Sequence, residues 1–255
     1  MRIRRPLAVA IAAAGLAATS LVTASLTVAG PSSAAPAPRL HWKLSKRAAS
    51  PGGYIRVSFT LHNPPQDGSV VLQRARVGRR YATIEPTLSG YTAGIESTGN
   101  ATIIAPSIGR YDYRVVVRNA RKHAVVVSSP VLVSVYAPIG LAKFLGTTGK
   151  YVKVAGTRFY YAASGASGTI ASIPTRTCRS VTLVGAYADG APAGSAGRVE
   201  LDEAGGGNSF AVTGTQTVAE AHYALTPGTA TLVATSNGDP IYVAGSLSCW
   251  SSSGS

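Results

Sequence analysis

The chain has 255 residues and a formal net charge of +14, and 45% of its residues are hydrophobic while 13% are charged. That apolar content is ample for packed cores and excludes a disordered chain. The 28 glycines and 15 prolines favour many short strands joined by tight turns.

The amino terminus has the pattern of an export signal. Arg2, Arg4 and Arg5 precede an apolar stretch at residues 7–29, and small residues follow at 31–37. Cleavage fits after Ala35 or after Ala37, and we favour Ala35, so residues 1–35 are predicted to be a signal peptide. The alternative is an uncleaved anchor, which the Ser and Thr residues within the stretch disfavour. No later stretch is apolar for long enough to cross a membrane, so we expect no transmembrane segment after cleavage.

The remaining chain is predicted to form two β-sandwich domains, at residues 40–137 and 138–255. The first contains 13 Lys/Arg against 4 Asp/Glu and the second 7 against 6, so their charges are +9 and +1. A difference of this size is typical of separate modules, and it places any attraction to acidic partners on the first.

The first domain shows apolar residues at every second position, as half-buried strands do. Ile55, Val57, Phe59 and Leu61 share one predicted face. The same alternation occurs in Tyr111, Tyr113, Val115 and Val117, and in Val131, Val133 and Val135. Strands at this spacing over about 98 residues predict a Greek-key sandwich.

Four segments of this domain together carry a family resemblance. They are Val70-Val71-Leu72-Gln73-Arg74, Tyr81-Ala82-Thr83-Ile84, Gly109-Arg110-Tyr111-Asp112-Tyr113-Arg114-Val115 and Ser129-Pro130-Val131. The pattern resembles bacterial immunoglobulin-like repeats of secreted actinobacterial proteins, over about residues 44–136. Tyr81 stands where the family usually has Trp. The resemblance implies an immunoglobulin-like fold and leaves the function open, since such domains serve as spacers, stalks and adhesive modules.

The second domain also alternates, around more glycine. Val181, Leu183, Gly185 and Tyr187 predict one strand, and Val199 with Leu201 another. Only residues 217–224 hint at helical periodicity, over too short a stretch to predict a helix. The chain then has, in order, a strand with Cys178, the strand Val199-Glu200-Leu201-Asp202, the turn Ala224-Leu225-Thr226-Pro227-Gly228 and the terminal strand Tyr242-Val243-Ala244-Gly245. This order is similar to that of galactose-binding-like jelly-roll modules, so a Greek-key or jelly-roll sandwich is expected. In an oxidising compartment Cys178 and Cys249 are predicted to form one disulfide.

The sequence shows no catalytic machinery. The histidines His41, His62, His123 and His222 do not stand at metal-ligand spacing. Glu220 and His222 share a predicted strand face, but no nucleophile motif accompanies them. We therefore predict a non-enzymatic protein without cofactor or metal site, leaving open a structural calcium near the acidic residues of the second domain.

Two binding hypotheses follow. In the first, a cationic face of the first domain attracts anionic polymers of the cell wall or cell surface. Its candidate residues are Arg74, Arg76, Arg79, Arg80, Arg110, Arg114, Arg118, Arg121 and Lys122. In the second, the second domain binds carbohydrate by stacking aromatic rings on sugars. Its candidate residues are Tyr160, Tyr161, Tyr187, Tyr223, Tyr242 and Trp250.

A purely structural spacer is the remaining alternative. Nucleic acid is not expected, because the aromatic content is low and no reading helix is present. The protein is predicted to be secreted and extracellular, associated with the cell surface through its ligand. The sequence leaves the oligomeric state open.

Overall fold

The computed structural model describes residues 36–85, 88, 96–214 and 218–251. The predicted signal peptide at residues 1–35 lies outside the described residues, so export and cleavage stay predictions. Residues from Ala37 onward form one compact unit that is almost entirely β-structure. Its sheets make two β-sandwiches around separate buried apolar clusters, which confirms the all-β fold class.

The first sandwich contains two sheets. Its strands are β1 (Arg39–Leu44), β2 (Ala48–Ala49), β3 (Tyr54–His62), β4 (Ser69–Arg76), β5 (Ala82–Glu85), β6 (Glu96–Ile104), β7 (Gly109–Arg118), β8 (Ala124–Val127) and β9 (Val131–Val135). One sheet has the order β1-β3-β6. The other has the order β2-β9-β7-β4-β5, with β8 paired to one end of β7. Its immunoglobulin-like character stays a prediction.

The core of the first sandwich confirms the predicted alternation. In β3, the side chains of Ile55, Val57, Phe59 and Leu61 are buried, whereas Tyr54 and Arg56 are exposed. The buried residues of β4, β7 and β9 meet them from the opposite sheet. Burial of this apolar layer is the main favourable contribution to the folding of this half.

A single residue, Tyr136, separates β9 from β10 (Ala137–Gly140), the first strand of the second sandwich. The guanidinium carbon of Arg179 lies 4.7 Å from the centroid of the Tyr136 ring. Across the same junction, the guanidinium carbon of Arg110 lies 5.2 Å from the centroid of a Trp250 ring. Ile108 of the first half packs against the core of the second. The two sandwiches are therefore braced where they meet, and separate folding of residues 40–137 and 138–255 stays a prediction.

The second sandwich follows a one-turn helix, α1 (Leu141–Phe144). Its further strands are β11 (Lys150–Val154), β12 (Thr157–Tyr161), β13 (Ala163–Gly165), β14 (Ser167–Pro174), β15 (Cys178–Tyr187), β16 (Ala196–Glu203), β17 (Gly206–Thr213), β18 (Ala219–Ala224), β19 (Thr229–Ser236) and β20 (Ile241–Cys249). One sheet has the order β10-β20-β15-β18, with β13 also paired to β20. The facing sheet has the order β14-β19-β16-β17, and β11 with β12 forms a hairpin.

Residues 217–224, with their hint of helical periodicity, belong to strand β18 from Ala219 onward; Thr217 lies outside the described residues. Its neighbour β15 carries the predicted core face, with Val181 and Leu183 fully buried. The helix α1 was not predicted, because one turn of helix leaves no periodicity to detect.

The predicted disulfide is confirmed. Cys178 and Cys249 are bonded and directly opposite each other on the paired strands β15 and β20. The backbone N–H of Trp250 donates to the carbonyl oxygen of Thr177 at 2.9 Å. Trp250 is therefore held beside the start of strand β15. In the described residues, no helix has the length and apolar character needed to cross a bilayer.

Candidate functional site

The hairpin of β11 and β12 presents two tyrosines and two cations on one face. The register places Tyr151 opposite Tyr160 and Lys153 opposite Arg158. We call this face of Tyr151, Lys153, Arg158 and Tyr160 the tyrosine hairpin. The side chains of Tyr151 and Tyr160 are 57% and 61% exposed, far more than aromatic residues that serve a core.

The rings and the guanidinium of the tyrosine hairpin are in contact. The centroids of the Tyr151 and Tyr160 rings are 5.9 Å apart. The guanidinium carbon of Arg158 lies 3.7 Å from the centroid of Tyr151 and 5.9 Å from that of Tyr160. Such cation–π contacts orient a planar, permanently charged group beside exposed apolar surface.

Asp189 fixes the hairpin to the body of the second sandwich. Its Oδ2 accepts a hydrogen bond from the backbone N–H of Gly156 at 3.0 Å. Its own backbone N–H donates to the carbonyl oxygen of Lys153 at 2.8 Å. The tight turn between the strands has positive φ at Ala155 (47°) and Gly156 (76°), as primed hairpin turns require. Val154 is buried beneath the turn, so the tyrosine hairpin is fixed to the body of the second sandwich.

A polar groove lies on the outer face of the β10-β20-β15-β18 sheet. Its volume is about 480 Å³, and we call it the serine groove. It is lined by Ser180, Thr182, Ser246 and Ser248 together with Arg179, His222 and Pro138. Ser180 is paired with Ser248, and Thr182 with both Ser246 and His222, so the hydroxyls form adjacent rows.

Two hydrogen bonds order the charged and titratable groups of the serine groove. Thr182 Oγ1 and His222 Nδ1 are 2.9 Å apart. The Nε–H of Arg179 donates to Ser248 Oγ at 3.2 Å, while its guanidinium stacks on Tyr136. Each side chain is thus tied to a neighbouring strand. The groove can donate and accept hydrogen bonds along a surface of fixed shape.

A smaller apolar cavity of about 240 Å³ lies between the tyrosine hairpin and the serine groove. Tyr160 and Tyr161 line one side of this cavity, and Gly140, Ala244 and Gly245 line the other. Tyr161 also packs edge-on against Tyr242, with ring centroids 4.8 Å apart. Tyr160, Tyr161 and Tyr242 are three of the predicted stacking residues, and the structure brings them together.

The other three predicted stacking residues lie elsewhere. Tyr187 is buried in the core, and burial raises the pKa of its phenol. Tyr223 is partly buried against the same core, which also raises its pKa. One ring face of Trp250 is taken by Arg110 at the junction of the sandwiches. The hydrophobic core accounts for Tyr187 and Tyr223, and the junction accounts for Trp250.

The predicted basic residues of the first sandwich do not form one continuous face. Arg74 and Arg76 are paired with Tyr113 and Tyr111, so they continue the inward-facing side of β4. Arg110, Arg114 and Arg118 lie on the opposite side of the same sheet, where alternate residues of β7 point outward. Arg79 and Arg80 follow β4 near Arg110, whereas Arg121 and Lys122 follow β7 at its far end.

Several of these arginines already have partners. Arg114 donates from Nε to Gln73 Oε1 at 2.9 Å, and its guanidinium carbon lies 3.8 Å from the Tyr81 ring centroid. Arg74 lies over the Tyr111 ring at 5.7 Å. The charge of the first sandwich is therefore distributed over its surface, which suits long-range attraction better than a local binding site.

Sequence reasoning missed Tyr151, Lys153 and Arg158. Their signal was present, because Tyr151 and Lys153 alternate on one strand while Arg158 and Tyr160 alternate on the next. Only the register shows that the four side chains share one face. The serine groove carried no comparable signal, since Ser and Thr are common throughout the chain.

No protein-family model and no curated protein matches the chain. Among solved structures, one match comes from a study of the promiscuous specificity of carbohydrate-binding modules of the β-sandwich superfamily. It is 12% identical, covers 83% of this chain and 96% of that chain, and has a TM-score of 0.29. So low a score carries no argument about a ligand. The fold and the site together define a β-sandwich protein with an exposed aromatic and cationic surface.

Proposed function

We propose that the protein is a non-catalytic, extracellular binding protein whose second sandwich holds acidic polysaccharide at the tyrosine hairpin. The observation that carries this proposal is the pair of exposed tyrosines, Tyr151 and Tyr160, with the guanidinium of Arg158 stacked on the Tyr151 ring. Sugar rings have an apolar face that packs against aromatic rings, and a guanidinium pairs with carboxylate or phosphate in a planar, two-bond geometry.

The first sandwich supports this function by long-range attraction. Its excess of Lys and Arg raises the local concentration of an anionic polymer and speeds encounter without specifying a sequence of sugars. In this proposal both halves of the protein act on the wall or surface polymer of the first hypothesis. The first sandwich attracts the polymer by its charge, and the second sandwich makes the direct contacts. Salt weakens the electrostatic part, because exposed charges are screened beyond about 8 Å at physiological ionic strength.

Affinity electrophoresis of the exported protein tests the proposal. The gels contain polygalacturonate, poly(glycerol phosphate) or a neutral glucan. We expect retardation in polygalacturonate, none in the glucan, and weaker retardation at high salt. Retardation in poly(glycerol phosphate) alone, which has no sugar rings, would indicate attraction by charge and contradict stacking of sugars at the hairpin. Replacing both Tyr151 and Tyr160 by Ser is expected to weaken binding at least tenfold, equivalent to about 1.4 kcal/mol.

Tyr54→Ser is the matched control. Tyr54 is 68% exposed and lies in the first sandwich, away from the hairpin, so its substitution should leave the retardation unchanged. Unaltered binding by the Tyr151/Tyr160 double variant would refute the assigned site. A protein that ignores all three polymers would be a spacer, and release of soluble sugars from any of them would contradict a non-catalytic role.

A further inference from the structure

We infer that the serine groove is a second subsite for the same acidic saccharide chain, binding one of its charged units at Arg179 and His222. This inference rests on the proposed function and extends it from the hairpin to the open face of the neighbouring sheet. The ligand would be an oligosaccharide that reaches from the tyrosines to the groove, in place of a single sugar.

Register shows that the two places belong to one surface. On β20, Ser246 and Ser248 line the serine groove and Ala244 lines the apolar cavity next to Tyr160. These three positions alternate with the buried Val243, Leu247 and Cys249, so they face the same side of the sheet. Gly140 of the cavity is the direct partner of Ser246 of the groove. The cavity and the groove therefore share a continuous floor.

The length of this floor fits a chain of sugars. From Ala244 to Ser248 the strand advances four residues, or about 13 Å at the usual rise of a β-strand. Tyr242 continues the same row, but it contacts Tyr161, which lies on the opposite face of the hairpin from Tyr160. The path from this floor to the tyrosine hairpin therefore runs through the apolar cavity beside Tyr160. A disaccharide at the tyrosines does not reach Arg179 over that distance, but a longer oligosaccharide does.

The groove chemistry matches a hydroxylated, anionic ligand. Its four hydroxyls can each donate and accept, as sugar hydroxyls do. The Nε–H of Arg179 is used by Ser248, and the guanidinium is held flat against Tyr136, which leaves the Nη groups as the ligand-facing donors. His222 uses Nδ1 toward Thr182 and has Nε2 as its second polar atom. None of the residues lining the groove is acidic; Glu220, two positions from His222 on the same exposed face of β18, lies outside this lining.

Isothermal titration calorimetry with oligogalacturonides of increasing length tests the inference. For the wild-type protein we expect affinity to rise at least tenfold between the disaccharide and the hexasaccharide. The double variant Arg179→Gln/His222→Gln should bind the disaccharide like the wild type and lose the gain with length. Fully methyl-esterified hexasaccharide, which lacks the charge, should show no such gain with the wild-type protein.

The variant Arg176→Gln/His123→Gln is the control, since it removes an exposed Arg and an exposed His elsewhere in the chain. This control variant should show the same rise in affinity with oligosaccharide length as the wild-type protein. If the groove variant keeps that gain while the Tyr151/Tyr160 variant loses binding, the hairpin acts alone and the inference fails, although the proposed function stands. If the wild-type protein binds no oligogalacturonide, both fail.

Nuclear magnetic resonance gives a second readout. Backbone amide shifts of Thr182 and Ser246 should move on addition of the hexasaccharide and stay fixed with the disaccharide. Shifts confined to Tyr151 and Tyr160 with both ligands would overturn the inference.

Discussion

Tyr113 is the largest fully buried side chain in the first sandwich. Among the described residues its hydroxyl has no hydrogen-bond partner. Burial raises the pKa of this phenol above its ordinary value of 10.0, and the nearby Arg74 offsets only part of the effect. An unsatisfied buried hydroxyl contributes little to stability, because its hydrogen bonds to water were lost on folding.

The raised pKa makes stability fall in alkali. Below pH 10 both the folded and the unfolded protein keep the Tyr113 proton, so this group gives no pH dependence. Above pH 10 the unfolded chain ionises first, and the free energy of unfolding falls by up to about 1.4 kcal/mol per pH unit until the folded pKa is reached. We expect Tyr113→Phe to keep full stability at pH 7 and to lose less between pH 10 and 11 in urea denaturation. Tyr54→Phe, at an exposed tyrosine, should behave like the wild type throughout.

Gly197 on β16 is required because neighbouring atoms leave no room for a side chain. A Cβ at this position would lie 2.6 Å from the Tyr187 hydroxyl and 2.8 Å from Cδ1 of Ile241. Gly197→Ala is therefore expected to cost roughly 1–3 kcal/mol through overpacking, seen as a lower midpoint of thermal unfolding. Gly205→Ala is its control, because no atom lies within 4 Å of a Cβ there. Equal midpoints for the two variants would contradict the packing described for this core.

At the scale of elements, the tyrosine hairpin depends on one carboxylate outside it. Asp189→Ala removes the acceptor for the Gly156 N–H and leaves the strands of the hairpin intact. We expect faster hydrogen exchange of the Gly156 amide and weaker binding of acidic polysaccharide. Global stability should change by about 1 kcal/mol or less, because the bond is exposed. Asp189→Asn keeps an acceptor oxygen and should restore most of the protection, whereas unchanged exchange in the alanine variant would contradict the anchoring role.

Strands with one buried face and one solvent-exposed face could be predicted from the sequence. The face of Ile55, Val57, Phe59 and Leu61 and that of Val181 and Leu183 are both buried as expected, because burial imposes a period of two on the residues. The strand β18 gave a weaker signal, since its core-facing residues are Ala219, Ala221 and Tyr223 and none of them is fully buried. Helix α1 is too short to carry any period.

The candidate site could be predicted only in part, and the reason is register. Tyr160, Tyr161 and Tyr242 were among the predicted stacking residues, whereas Tyr151 and Arg158 join them only through pairing of β11 with β12. The serine groove draws its residues from β10, β15, β18 and β20, strands that are far apart in the chain. Periodicity within a strand does not determine which strands become neighbours, so no reading of single segments would have assembled this groove.

At the scale of the whole molecule, the disulfide closes a loop with a sequence separation of 71 residues and fixes the last strand to β15. Because the cross-link restricts the conformations of the unfolded chain, it is expected to add about 4 kcal/mol to the free energy of unfolding. We expect Cys178→Ala/Cys249→Ala to lower the unfolding temperature of the second sandwich and to leave that of the first unchanged in calorimetry. Reduction of the wild-type protein should have the same effect, and a scan that is unaltered by both would mean that the disulfide does not stabilise this half.

The junction at Tyr136 has a mechanical consequence. Only one residue, Tyr136, links β9 to β10, and Arg179 is stacked on its ring. Arg110 of the first sandwich is stacked on Trp250 of the second. The linker therefore cannot lengthen when the two ends of the chain are pulled apart. Tension applied at one sandwich passes directly into the sheet of the other. A force exerted by a polymer bound to the second sandwich would therefore move the first sandwich together with it.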